Sequence, residues 1–109
     1  MEKVLRPYIR FTQNGEINPE DAFWELKSDK KIAVALIAAN CQRFIDEDKK
    51  NLIGGMKNVE IERTTQILGN TVRPLIKKFR DQGLIRTEKK VHYSTPKLVY
   101  WYQKLKSEA

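Results

Sequence analysis

The chain holds a single cysteine, Cys41, and a single histidine, His92. One thiol cannot close an internal disulfide, so the fold holds without such cross-links and suits a reducing compartment. One thiol and one imidazole do not make a metal cluster or a convincing nucleophile–base pair, which argues against metal and Cys–His chemistry. Cys41 falls on an apolar helical stripe and reads as a packed core thiol. His92 reads as a surface or phosphate-facing side chain. Long apolar runs are missing too: the longest, Ile32 to Ala39, is far short of the roughly 20 residues that span a bilayer. The start, MEKVLRPYIR, lacks the apolar stretch of an export signal, so the expected location is cytoplasmic, with no membrane partner. The acidic run Asp46-Glu47-Asp48 lacks the glycine and distal glutamate of a calcium loop. Gly54-Gly55 lacks the lysine spacing of a phosphate loop and reads as a flexible turn. The expectation is a protein that is no enzyme and carries no cofactor or metal.

Acidic residues are scarce in one half only. Residues 1–60 carry ten Lys/Arg and ten Asp/Glu; residues 61–109 carry eleven Lys/Arg and four Asp/Glu, which accounts for the whole net charge of +7. A basic excess confined to one half fits contact with a polyanion through that half. The bland alternative is a solvated cationic face, and local pattern has to separate the two.

At 109 residues the chain is one domain, able to bury roughly two thirds of its unfolded surface. Residues 1–17 read as an extended N-terminal arm, because Pro7 disfavours helix before it and Tyr8, Ile9 and Phe11 favour strand. Residues 18–109 form the domain proper. Asn18-Pro19 predicts a helix start with proline in its first turn and a short helix through Leu26. Ser28 predicts the cap of a longer helix to Ile45, with an Ala-rich stripe at Ile32, Ala33, Leu36, Ile37, Cys41, Phe44 and Ile45. Asp46 to Asn58 reads as a loop, Val59 to Ile61 as a very short strand and Glu62 to Leu68 as a short helix. Thr95-Pro96 predicts the start of a last helix, about 96–107, with an inward stripe at Leu98, Trp101, Tyr102 and Leu105.

Between Ile67 and Tyr93 seven cations (Arg73, Lys77, Lys78, Arg80, Arg86, Lys89 and Lys90) face two acids, Asp81 and Glu88. Gly69 suits a left-handed helix stop, and Asn70 and Thr71 suit caps of the helix that follows. Pro74 then falls in the first turn. Val72, Leu75, Ile76 and Phe79 recur at helical spacing on an inward face, and Arg73, Lys77 and Arg80 share the outer one. Gly83 ends the helix, Leu84-Ile85 opens a strand, Glu88-Lys89-Lys90 turns, and Val91-His92-Tyr93 returns. One long helix over residues 61–79 also fits the apolar spacing.

With these residues in place, the chain resembles the winged helix-turn-helix family. Ile61, Thr65, Leu68 and Gly69 match the family's first motif helix and turn glycine. Asn70 to Ile85 looks like the recognition helix running into Gly-Leu-Ile, and Arg86 to Tyr93 looks like the wing. The family spaces its turn glycine several residues further from the Thr-Val pair than Gly69 stands from Thr71. The resemblance implies a mainly α fold with a small β-hairpin and extra N- and C-terminal helices: motif helices about 61–82, wing about 84–94. It implies binding of double-stranded DNA, with the recognition helix in the major groove and the wing on the backbone or minor groove. Arg73 and Lys77 suit the groove. Lys78, Arg80, Arg86, Lys89 and Lys90 suit phosphates, and Asn70 and Thr71 either role. A homodimer is expected, with the aromatic C-terminal helix as its contact, joined by Phe23 and Trp24 or by the N-terminal arm. The leading role is transcriptional regulation; the alternatives are plasmid or viral replication or partition, and a winged-helix protein-interaction module.

Overall fold

Ile32 to Ala39 are all buried, eight successive residues on a helix that therefore has no solvent side over two turns. Only an almost wholly apolar, alanine-rich sequence allows that, because small side chains let neighbours close in from every direction. The sequence predicted a broad stripe; the structure wraps the whole circumference. In the computed structural model, which describes residues 8–11, 17–45 and 54–108 (without the side chains of residues 11, 42–45 and 105–108), the elements run as follows. They are β1 (Ile9–Phe11), β2 (Ile17–Pro19), α1 (Asp21–Trp24), α2 (Ser28–Ile45), α3 (Asn58–Thr65), α4 (Gly69–Asp81), β3 (Ile85–Glu88), β4 (Val91–Ser94) and α5 (Pro96–Glu108). The architecture is mainly helical, with two antiparallel hairpins where the sequence predicted one. Helix α2 is the central post: α3, α5, β2 and β4 all pack on it.

The N-terminal segment differs most from expectation. Asn18-Pro19 does not start a helix; it lies in β2, paired with β1 in the register Ile9↔Pro19 and Phe11↔Ile17. Ile9 is buried in the core, and Glu20 closes the pair by donating its N–H to the Tyr8 carbonyl at 2.7 Å. The described part of the arm is thus packed into the same core as the rest. Helix α2 begins at Ser28 itself, one residue earlier than a Ser28 cap requires, with the Lys31 N–H bonded to the Lys27 carbonyl.

Val59 to Ile61 is helical, not a strand. The Glu60 carboxylate accepts the Lys57 N–H at 3.0 Å, which closes the first turn of α3 from Asn58 onward. Lys57 has no acceptor to return the bond, so only half of a capping box forms. At the other end Thr65 donates its hydroxyl to the Ile61 carbonyl at 2.6 Å, and Gln66 takes the left-handed conformation, φ 58°. The break between α3 and α4 is therefore real, which excludes one long helix over residues 61–79, but it falls at Gln66 rather than at Gly69. Gly69 is the first residue of α4, and the extended residue ahead of it is Leu68, whose carbonyl receives the Thr71 and Val72 N–H groups. Asn70 and Thr71 lie inside the first turn and do not cap it. Pro74 consequently sits in the second turn, where it leaves the Asn70 carbonyl without its usual donor. Leu68, matched to the first motif helix, lies outside it and is 73% exposed.

Gly83 ends α4 as expected. It is left-handed (φ 72°), with the Leu84 N–H on the Phe79 carbonyl and its own N–H on the Arg80 carbonyl, a Schellman stop. Strands β3 and β4 follow in the register Ile85↔Ser94 to Glu88↔Val91. The segment before α3 adds an isolated bridge: Met56 and His92 exchange both backbone hydrogen bonds, at 2.9 and 2.8 Å. Gly55 is required there, since a Cβ would stand 2.6 Å from the His92 carbonyl oxygen and 2.7 Å from the Tyr93 ring. Gly54 is left-handed, φ 78°. The pair is a fitted bend, not the flexible turn expected. Thr95 precedes α5 as predicted, but its hydroxyl donates to the Leu84 carbonyl at 2.8 Å, fastening α5 to the exit of α4.

Candidate nucleic-acid interface

Helix α4 divides cleanly into two faces. Val72, Ile76 and Phe79 are buried, Phe79 meeting the edge of Trp101 at 5.2 Å between ring centroids. Asn70, Thr71, Arg73, Lys77, Lys78 and Arg80 are all exposed. Arg73, Lys77 and Arg80, at steps of four and three, form one stripe, with Lys78 and Thr71 on its far flank. Among the described residues none of these cations forms an ion pair; the two pairs present are Arg10–Glu20 and Arg86–Glu88. Lys78 and Arg80 lie in the last turn, where the helix dipole favours positive charge. The opposite end is less hospitable to an anion. Glu62 of α3 leans over the start of α4, its carboxylate oxygen 2.6 Å from where a Cβ on Gly69 would stand. That carboxylate occupies the positive end of the helix dipole and competes with a phosphate near Asn70.

The hairpin cations divide. Lys89 and Lys90 occupy the two-residue turn and are exposed, both left-handed with φ of 50° and 68°. Arg86 pairs with Tyr93 across the strands, lies 4.9 Å from its ring centroid and contacts Glu88 at 3.4 Å. By strand alternation Arg86 is on the opposite face of the hairpin from Thr87 and His92. The structure brings Arg73, Lys77 and Arg80 together and turns Arg86 away from Thr87, His92 and the cleft they line.

Of the two placements expected for His92, surface or phosphate-facing, the structure excludes the surface. The residue is 5% exposed, with Nδ1 2.8 Å from the Thr87 hydroxyl and Nε2 2.8 Å from the Asn58 carboxamide oxygen. An amide oxygen accepts, so Nε2 carries the proton and Nδ1 receives the hydroxyl. Burial first, then the nearby Arg80 charge, lower its pKa below 6.5, which keeps the ring neutral. Around it a cleft of about 400 Å³ opens between the start of α3, the last turn of α4 and the hairpin. Lys57, Arg80 and Lys90 line it together with Asn58, Thr87 and His92. Three of these six (Lys57, Asn58 and Thr87) were not among the expected contact residues. They come together only through the Met56–His92 bridge, which leaves no periodic trace in a single sequence.

The aromatic residues expected at a dimer contact divide: Phe23 and Tyr102 are buried in the core and Trp101 is half-buried, while Trp24 is exposed. Burial, then a hydrogen bond with Tyr8, pushes the Tyr102 hydroxyl far up from its ordinary pKa. Tyr100, 69% exposed, is what α5 leaves outside. No helix among the described residues is long and apolar enough to cross a membrane, and none of their His, Cys, Asp and Glu side chains cluster in threes to hold a metal. Comparison with protein-family models, curated proteins and solved structures found no match to this chain.

Proposed function

We propose that this chain binds double-stranded DNA without chemistry, as a winged helix-turn-helix protein acting in transcription. The observation that carries the reading is the outer face of α4: exposed, basic, free of ion pairs among the described residues, on a helix whose other face is locked into the core. A helix so held can lie in a major groove and present side chains to base edges. Arg73, mid-stripe, has the planar fork that pairs with guanine; Lys77, Lys78 and Arg80 suit groove edges and phosphates.

The order of elements supports the same reading. A buried helix, a bridge residue, two helices separated by a sharp turn and a hairpin follow one another, and the bridge residue Met56 pairs with the hairpin's second strand. The left-handed residue of the turn, Gln66, also restores the longer spacing to Thr71 and Val72 that the family pattern calls for, where Gly69 stood too close. Pairing of two copies belongs to the proposal, with Tyr100 as its exposed anchor. It would double the contacted site.

If the six cations without an ion pair among the described residues (Arg73, Lys77, Lys78, Arg80, Lys89 and Lys90) all meet phosphates, log K against log[salt] for random duplex should slope by about −5, and each further contact steepens it by about one. Exchanging Lys77 and Lys78 for glutamate should abolish retention at low salt while the thermal transition stays put. Affinity indifferent to salt, or an unimpaired charge-swap variant, would overturn the reading. A footprint on duplex selected from a random pool gives site length and symmetry, and with them the number of copies bound.

A further inference from the structure

The cleft beside His92 concentrates positive charge with nothing to answer it. Lys57 stands at the start of α3, Arg80 in the last turn of α4 and Lys90 at the hairpin tip, yet all three line one concavity. No acid lines it, and none of the three cations forms an ion pair among the described residues. Like charges gathered in a partly enclosed site repel more strongly than on an open surface, so an anion there relieves a standing cost. Glu60, the nearest acid in sequence, accepts the Lys57 N–H through one carboxylate oxygen and does not line the cleft.

Of the neutral lining, Val59 is apolar and the Thr87 hydroxyl is taken up by His92, so Asn58 is the side chain left to donate. His92 holds the Asn58 carboxamide by its oxygen, which leaves the Asn58 amide hydrogens for a ligand. Backbone N–H groups at the first turn of a helix have no intrahelical acceptor, and Asn58 and Val59 occupy that turn. The imidazole itself stays uncharged between Thr87 and Asn58, acting as a rigid spacer between hairpin and helix.

We propose that this cleft is a phosphate site, seating a phosphoryl group between Lys57, Arg80 and Lys90 with the Asn58 amide as a further donor. The chemistry is the same for a backbone phosphate of bound DNA and for a free phosphorylated small molecule. Only the first source rests on the function proposed above.

Titration of the full chain with inorganic phosphate, against chloride at matched ionic strength, tests the site by NMR of the His92 ring and the amides of residues 57–59. Saturable shifts confined to these positions are expected. The His92 pKa should also rise, because a bound anion favours the imidazolium and offsets the Arg80 charge, which adds to burial in holding it down. Lys57→Ala and Lys90→Ala should each weaken the phosphate effect by about tenfold, the scale of one charge-assisted contact, with other amides unmoved. No saturable shift, or equal shifts at Arg73 and Lys77, overturns the proposal. A second arm assigns the source. If phosphate competes with random duplex and Lys57→Ala flattens the salt slope by about one, the ligand is a DNA phosphate. If the slope is unchanged while phosphate still binds, it is a free phosphorylated molecule. A chain that retains no duplex at low salt loses the function proposed above, while the phosphate titration still judges the cleft.

Discussion

Replacing Lys89 with Asn and Lys90 with Gly should separate stability from binding in this molecule. Both lysines sit at positive φ in the two-residue turn between β3 and β4, the conformation that a type I′ turn imposes and that Asn-Gly accepts best. A side chain with a Cβ pays about 1–2 kcal/mol for a left-handed backbone. Glycine removes that cost at position 90 but adds about 0.5–1 kcal/mol through the freer unfolded chain, and asparagine relieves part of it at position 89. The net expectation is a gain of about 1 kcal/mol, read as a higher urea midpoint at unchanged m-value. The same variant loses two exposed cations, so the salt slope for random duplex should flatten by about two. A more stable protein that binds less well is the expected pair of results. A variant less stable than the parent would show that the turn is not strained. An unchanged salt slope would show that these lysines do not meet phosphates.

Gly69→Ala should be nearly neutral or slightly stabilising in a thermal melt: alanine adds up to about 1 kcal/mol of helix propensity, and the atom it meets belongs to the flexible end of Glu62. A loss well beyond 1 kcal/mol would restore Gly69 as an obligatory turn residue. Gly55→Ala should cost about 1–3 kcal/mol, the range for overpacking, because its Cβ would press on the His92 carbonyl and Tyr93 ring; a neutral result would mean the Met56 bridge gives way freely. His92 has a folded pKa below its unfolded value of 6.5, so its contribution is complete above that pH and is lost as pH falls through the lower folded value. Urea unfolding from pH 7.5 to 5 should show stability falling with acid, and His92→Gln should flatten the part of the profile below pH 6.5. A variant with the same profile as the parent would acquit the imidazole.

The basic helix and its hairpin were legible because their signals are local. Apolar spacing fixed which side of α4 turns inward, Gly83 marked its end, and the alternation after it marked the strands. What escaped was set by distance or by side-chain bonding. Ile9 pairs across a boundary at residue 17 where the sequence showed too little alternation, so Asn18-Pro19 passed for a helix start. The turn between α3 and α4 settled on Gln66, an ordinary residue, where the Thr65 hydroxyl accepts the Ile67 N–H just beyond the helix at 3.3 Å; Gly69 drew attention as a glycine, yet its nearest neighbour is only the flexible end of Glu62. His92 was read as surface or phosphate-facing because a lone histidine in a basic stretch carries no sign of a partner as remote as Asn58.

Helix α2, enclosed on all sides, has an evolutionary corollary. Its residues from 32 to 39 have no neutral direction in which to vary, so substitutions there must match shape and size or be lost. The outward side of α4 is under no such restraint, since none of its basic side chains forms an ion pair among the described residues. A lineage could therefore rewrite what this molecule recognises, residue by residue, without renegotiating what holds it together.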